Sequence, residues 1–491
     1  TGRGIEMART VIVGAGIAGH TAALHLRRML GKEHDVVVVA PNSKWNWIPS
    51  NIWVGVGQMT QKQVTFPLAP IYKRKGIEFH QALATEIHGA GSPEVPRPFV
   101  KITYTDPARP GQAAILEYDY LINASGQKLN FDATPGLGPD GHTWSVCTAG
   151  HATEAAKAFE SVIARLKAGQ QQTLLIGMGH GTCTCQGAAF EYTFNVEHEL
   201  VKEGVRDKAE VIYITNESQL GDFGMDGMNF GHKGDVMSSQ AFTESLFQER
   251  GVKAIMSAHV EKVEPGVVHY EQVDGTKGEQ PFDFAMLLPP FRGVDLTAFD
   301  RDGNDITGQV FAPSGFMKVD ADYTPKPYEE WKASDWPKTY QSVMYDNVWA
   351  AGIAFAPPHQ MSRPRTSPNG TVIAPAPPRT GMPSGVIGRA VAQTIAGRVK
   401  HGTAGKVHTA SMADMGAACI ASAGKGWRKG TAAAMTVFPI IPDKDKYGEL
   451  GRDTNETYGE IGLSAHWMKV MLHYLFIYKA KGLPGWFLIP E

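Results

Sequence analysis

Apolar and polar positions alternate along this chain in a way that cuts it into strands and helices. Residues 10–13 form a short apolar run, GAGIAG occupies 14–19, and HTAALHLRRML at 20–30 repeats its apolar side chains at helical spacing. A second apolar run at 35–40 completes a strand–helix–strand unit. The turn between the first strand and the helix needs small residues. Gly14 permits the tight bend, Gly16 lets a pyrophosphate approach the backbone, and Gly19 lets the helix lie against the strand, with Ala18 inside the same turn. Phosphate would then sit on the helix N-terminus. The pattern predicts a dinucleotide-binding unit. An acidic residue usually ends the second strand to hold the ribose hydroxyls, but here Pro41 and Asn42 follow it. Asn42 offers only an uncharged hydrogen bond, so the nucleotide is expected to be held mainly by its pyrophosphate and its other half.

Further signals sit at strand ends. WNWIPSNIWVGVG at 45–57, with Ser50 and Asn51 at its centre, suits either a planar ring lying along it or a buried aromatic loop. YDYLINASG at 118–126 reads as a buried strand and a small-residue turn, Ala124 to Gly126, that closes over a cofactor. Lys128 follows as a ligand or as a solvated lysine. Residues 146–289 form a second strand-and-helix region, closed by a buried strand at 282–289. Within it, LLIGMGHGTCTCQGAAFEY at 174–192 opens like another dinucleotide turn, then places Cys183 and Cys185 where the phosphate cradle should run into its helix. A nucleotide half-site looks converted into a thiol site. Electrons would then arrive from a sulfur compound and not from a nicotinamide. DNVWAAGIAFAPP at 346–358 is a strand entering a turn at Gly352, residues 357–379 form a proline-rich ordered loop, and 381–399 resume as a helix.

The helix predicted at 463–478 has Trp467, Met468, Met471, Leu472, Leu475 and Phe476 at spacings of three and four, with Lys469, Lys479 and Lys481 around them. Such a helix lies in a membrane interface with its lysines reaching the headgroups, or packs on the core or on another subunit. Trp486 and Phe487 extend the apolar patch. No run of about 18 apolar residues is present to span a bilayer. A length of 491 residues implies two or three domains. Lys and Arg number 47 against 49 Asp and Glu, a balance that argues against nucleic-acid binding. Residues 1–6, ahead of Met7, are expected to be an appended leader without a signal-sequence pattern. The four cysteines, Cys147, Cys183, Cys185 and Cys419, are too few for a disulfide lattice. Cys-x-Cys without a second pair is weak support for zinc, and no metal is expected.

Taken together, GAGIAG, PSNIWVGVG, WSVCTAGHA around Cys147, CQGAAFEY from Cys185, VWAAGIAFAPP, PPRTG containing Arg379 and Thr380, and SMADMG from Ser411 resemble the sulfide:quinone oxidoreductase family. These flavoproteins are relatives of flavocytochrome c sulfide dehydrogenase and type II NADH dehydrogenase. The resemblance implies an α/β fold with two Rossmann-like dinucleotide-binding domains and a C-terminal membrane-interface region. The parts are expected at 7–145 and 290–400 for the FAD domain, 146–289 for the thiol-bearing domain, and 401–491 for the quinone-facing region. It implies FAD held by Gly14, Gly16, Ala18, Gly19, Asn42, Ser50, Asn51, Ala124, Gly126, Lys128, Gly352, Arg379 and Thr380. It further implies sulfide or a related sulfur compound as donor, membrane quinone as acceptor, monotopic attachment and a homo-oligomer.

Position by position, Cys147 matches a cysteine that is flavin-linked in some members and a free thiol in others, and Cys185 matches the redox cysteine. Glu191 and His151 match residues suggested to move protons. The second redox cysteine should fall at Ser411, where it is missing. Cys183 could pair with Cys185 through a small-ring disulfide or a polysulfide. Alternatively, a hairpin over 411–420 turning at Asp414, Met415 and Gly416 would set Cys419 nearly opposite Ser411 or Met412. A broken pair with another sulfur substrate is the third option. Tyr474 and Phe476 are expected at the quinone entrance. Two rival readings stand beside this one. The first is a type II NADH:quinone reductase, weakened by the cysteines in the turn and by the lack of a clear acidic end to the strand at Thr215. The other is a flavin-containing sensor or assembly subunit.

Overall fold

Valines at 36–39 are wholly or almost wholly buried, as β-branched residues are in a parallel strand covered on both faces. They belong to a sheet that begins with Arg9–Val13 (β1), followed by helix Ile17–Leu30 (α1) and strand Asp35–Ala40 (β2). The computed structural model describes residues 7–232, 234–379, 381–425 and 428–491. Strands Glu78–His88 (β3), Phe99–Tyr104 (β4) and Ala113–Glu117 (β5) extend the sheet outward, and Tyr120–Asn123 (β6) returns beside β1. At the β1–α1 turn Gly14 has φ +104°, and a Cβ there would lie 2.0 Å from Ala124 O. No other residue fits.

The short helix Asn51–Gly55 (α2), which lies between β2 and β3 in the chain, packs against Ala149–Lys167 (α3), which is capped by the Thr148 hydroxyl accepting from the His151 N–H. The chain next builds a second sheet. Gln172–Met178 (β7), helix Gln186–Lys202 (α4), Ala209–Ile214 (β8), Lys253–Ile255 (β9) and Phe284–Leu288 (β10) give four parallel strands in the order β9-β8-β7-β10. Val348–Ala350 (β11) rejoins the first sheet beside β6, so its order is β11-β6-β1-β2-β3-β4-β5. Helix Gly381–His401 (α5) packs along α1 closely enough that a Cβ on Gly388 would lie 2.5 Å from Ala18 O.

The C-terminal part is a hairpin of Ala417–Lys425 (β12) and Lys429–Val437 (β13), edged by Gly459–Gly462 (β14) and backed by helix Leu463–Ala480 (α6). This replaces the hairpin expected over 411–420. Ser411 O accepts from Asp414 N–H in a turn, and Cys419 stands opposite Met435. The reason is ladder length: two nine-residue alanine-rich strands pair along their whole extent, whereas 411–413 is too short to compete. No helix among the described residues is long and apolar enough to cross a membrane.

Candidate active site

At the mouth of the first sheet the backbone is left open. Gly16 caps α1 without a side-chain hydrogen bond, no acidic residue lies in the first turn, and a Cβ on Gly16 would meet nothing within 4 Å. Unpaired helical N–H groups facing free space are a diphosphate cradle. The first residue of α5 converges on the same point, since a Cβ on Gly381 would lie 2.9 Å from Ile17 Cδ1. Gly352, at φ +67°, brings the end of β11 against Ala18, whose methyl is therefore turned to packing. Gly126 follows Ala124 in a left-handed turn, and Asn42 stands exposed just past β2. These positions fit a bound dinucleotide. Gly352 also lines a narrow cleft with Ile353, Phe355, Arg379, Ser384 and Met412.

Other expected cofactor residues are engaged elsewhere. Ser50 Oγ is 2.7 Å from His473 Nδ1, Asn51 exchanges amide bonds of 2.9 and 3.0 Å with Asn46, and exposed Lys128 pairs with Asp295 at 2.8 Å. Thr380 lies outside the described residues. The aromatic loop is buried: Trp47 stacks on Phe476 with ring centroids 4.9 Å apart.

The four thiols are free and gathered around the start of α4. Cys185 is the N-cap, at φ 68° and ψ 36°, a left-handed conformation that costs a side-chain-bearing residue roughly 1–2 kcal/mol. Its thiol points toward Arg379 O at 4.0 Å. Burial raises the Cys185 pKa, opposed by a hydrogen bond with Thr184 and by the Arg379 backbone and guanidinium. Cys183 is fully buried and donates to Leu288 O at 3.2 Å, so its thiol turns into the sheet. Cys147 lies just before the Thr148 cap of α3, its N–H on Ser145 Oγ at 3.1 Å, and burial pushes its thiol to about 12. Cys419 is likewise pushed to about 12 by burial and by Glu191, with Lys469 acting against both. Its sulfur reaches α4 because residue 187 is glycine: a Cβ there would lie 2.8 Å from Cys419 Sγ. Thus Cys185 and Cys419 each have an opposing cation, Arg379 and Lys469, while Cys147 and Cys183 have none among their resolved influences.

Glu191 lies one helical turn beyond Gly187. Its Oε2 is 3.2 Å from Lys469 Nζ, its buried Oε1 has no hydrogen-bond partner, and burial raises its pKa. His151 is half-buried, its Nδ1 3.2 Å from Ser145 Oγ, and burial lowers its pKa. Two lysines expected at lipid headgroups are instead inside: Lys469 on Glu191, and Lys479 on Glu491 at 2.6 Å. Trp486 is also buried, against His25, so Leu488 and not Trp486 is exposed there. Sequence reasoning missed His466 and His473, which share the inward face of α6 with Lys469. Their spacing of three and four on the side away from Trp467 was the available signal.

The sequence profile of the pyridine nucleotide-disulphide oxidoreductases matches residues 8–289, more than half of the chain. The chain belongs to that family. It is an oxidoreductase. It is 26% identical over 471 residues to the sulfide-quinone reductase of Aquifex aeolicus (strain VF5), covering 96% of this chain and 90% of that protein. The structure of the Aquifex aeolicus sulfide:quinone oxidoreductase superposes with TM-score 0.73 at 24% identity, covering 97% of this chain and 92% of that one. NDH2 from Plasmodium falciparum, solved with NADH, superposes with TM-score 0.62 at 12% identity, covering 98% and 97% of the two chains.

In this pyridine nucleotide-disulphide oxidoreductase the second nucleotide turn is covered by the chain itself. Ala374 N–H donates to Gly181 O at 2.8 Å, Ala376 N–H to Cys183 O at 3.1 Å, and the Thr184 hydroxyl to Pro377 O at 2.7 Å. Glu271 accepts from Ser367, Asn369 and Thr371 at 2.7, 2.8 and 2.6 Å, fixing the other end of the strap. A Cβ on Gly181 would lie 2.8 Å from Val372 O. Glu217, two residues past Thr215, is where a ribose-binding acid would be sought. It is buried and spent on the Thr215 hydroxyl and Phe223 N–H, each at 2.8 Å.

Proposed function

We propose that this enzyme oxidises sulfide, or a related reduced sulfur compound, and passes the electron pair through FAD to membrane quinone. The observation that carries the reading is that Cys185, strained at the N-cap of α4, and Cys419, admitted to the first turn of that helix by Gly187, each lie under the influence of a cation. The thiolate is the nucleophilic form, and Arg379 and Lys469 favour it within a site whose burial otherwise suppresses it. Similarity to a sulfide-quinone reductase supports the same substrates. In this reading Cys419 supplies the second redox sulfur, so the position at Ser411 is not needed.

Gly14, Gly16, Gly19, Gly126, Gly352 and the first turn of α5 would hold FAD, which when bound supplies a two-electron acceptor. Cys185 and Cys419 bind and release sulfur. Cys147 stands by as a third thiol or as an anchor, and Cys183 closes the floor. Glu191, held by Lys469, and His151, held by Ser145, take and return protons. The exposed face of α6 lies on the membrane, and quinone enters beside it. The boundaries 7–145, 146–289, 290–400 and 401–491 divide these tasks. The NADH-dependent reading is disfavoured by the strap over Gly181 and Cys183.

Anaerobic titration with sulfide tests the reading. The wild-type flavin bleaches; C185S and C419S, folded and flavin-loaded, do not. Full bleaching of either variant by sulfide rejects its sulfur role.

A further inference from the structure

The buried face of α6 is basic, which is unusual for a helix whose other face is aromatic. His466, Lys469 and His473 recur at spacings of three and four, and each is bonded to a different element. His466 Nδ1 meets Ser422 Oγ of β12, Lys469 meets Glu191 of α4 at 3.2 Å, and His473 Nδ1 meets Ser50 Oγ, just before α2, at 2.7 Å. Trp53 of α2 lies edge-on to both imidazoles, 6.4 and 6.2 Å between centroids, and its Nε1–H donates to Ser422 O at 3.2 Å. The opposite side of α2 abuts the thiol region: a Cβ on Gly55 would come 2.7 Å from Val146 Cγ1 and 2.9 Å from the Tyr192 ring. α2 and Ser50 therefore bridge the thiol site and α6.

Apolar residues would seal the helix more cheaply than three ionisable ones. The basic row ends at the exposed aromatic face, where the His473 ring meets Tyr474 edge-on at 4.9 Å. In the middle of the row, beside Lys469, Glu191 Oε1 is buried without a hydrogen-bond partner.

We propose that His473, partnered by Ser50, relays a proton to the quinone that this protein reduces, with the Lys469–Glu191 pair supplying the second. The proposal rests on the reading that quinone is the electron acceptor. Reducing a quinone to a quinol consumes two electrons and two protons, and the electrons are the pair withdrawn from the sulfur substrate. One proton leaves His473 Nε2 for a quinone oxygen, the Ser50 hydroxyl proton passes to Nδ1, and Ser50 regains one of the two protons that hydrogen sulfide releases with its electron pair. The second leaves the Lys469–Glu191 pair, which is recharged by a proton released as the sulfur substrate is oxidised. The groups facing His473 are Lys469 on its own helix, Ser50, Trp53 and Tyr474. Burial and then Lys469 hold the imidazole down to about 4, so it works as a neutral relay near pH 7.

The test separates protons from electrons. Flavin in the intact enzyme is reduced photochemically, then mixed anaerobically with decylubiquinone or with ferricyanide, which takes electrons without protons. In H473A, reoxidation by decylubiquinone slows about tenfold or more and recovers when imidazole is added, while ferricyanide reoxidation stays within about twofold. Quenching of tryptophan fluorescence by decylubiquinone is retained, so binding is intact. S50A, which keeps the imidazole, shows a smaller slowing with the quinone alone. Equal slowing with both acceptors, or none with quinone in both variants, overturns the relay. If wild-type flavin is not bleached by sulfide but these acceptor results hold, the sulfur reading fails and the relay stands.

Discussion

At the scale of single residues, the site turns on how burial and local charge set protonation. Arg379 offsets part of the burial penalty on the Cys185 thiolate. R379Q removes that charge, so the Cys185 pKa rises further and less thiolate is present at a given pH. Alkylation of Cys185 by iodoacetamide at pH 8, followed by mass spectrometry, is expected to slow several-fold, with R379K nearer wild type; an unchanged rate denies Arg379 this role. Glu217 works in the opposite sense to a surface carboxylate. Burial, then Asp222, raises its pKa from 4.5 to about 8. Between those values the folded protein holds a proton that the unfolded chain has released, so this group's contribution falls as pH rises through that window. Asp222, raised to about 6 by burial, adds the same sign over a narrower range. E217Q cannot titrate, so its melting temperature should fall less than that of wild type between pH 5 and 8. Parallel curves would place the titration elsewhere. Cys183 and Cys185 stand out in the sequence because Cys-x-Cys in a glycine turn is chemically odd, whereas Glu191 is marked only by the family resemblance. Glu217 is not legible, since its burial comes from the 215–228 loop folding over it and no local pattern encodes that closure.

At the scale of elements, helical period located α6 but apolar count alone assigned its faces poorly. Met468 and Leu472 pack on the hairpin and Phe476 on Trp47, whereas Trp467, Met471, Tyr474, Leu475 and Tyr478 are 39–59% exposed. Those five lie on one side at helical spacing, a face suited to a membrane interface. Replacing Trp467, Met471 and Leu475 with serine is expected to abolish flotation with liposomes while leaving the thermal midpoint and flavin content near wild type. Retained flotation rules out this face as the anchor. Deleting everything after Thr457 is a poorer experiment, because it also strips Lys469 from Glu191 and leaves a buried carboxylate with neither partner. The hairpin shows the same lesson. Its strands were hidden by alanines, which carry little β preference, yet their length decides which segments pair and delivers Cys419 to Gly187. G187A should therefore lower sulfide reactivity while Cys419 is still present, by pushing its sulfur from α4.

Across the whole molecule, two dinucleotide turns of similar sequence have met opposite fates. The first is open at Gly16 and flanked by the N-terminal ends of α1 and α5, while the second is roofed by residues 365–379. Both turns read alike locally, with an apolar strand entering closely spaced glycines, and the first sheet's strands appear close to where the pattern put them. What distinguishes the two turns lies nearly two hundred residues away, in a proline-rich loop whose landing place is set by Gly181, Cys183, Thr184 and Glu271. A nicotinamide dinucleotide would have to break the Ala374 and Ala376 hydrogen bonds and displace Val372 from above Gly181 before its phosphates reached the turn. Each such bond contributes about 1 kcal/mol net, and removing the roof also exposes the buried Ile373 and Ala374. NADH at millimolar concentration is therefore expected to leave the flavin oxidised over minutes in anaerobic stopped flow, under conditions where sulfide bleaches it within the same observation. The decisive comparison is E271Q, which loosens the far end of the strap. If NADH reduces wild type as fast as sulfide does, the strap is no barrier and a nicotinamide is a donor. If only the loosened variant gains NADH reactivity, the fold keeps a nucleotide site that its own chain holds shut.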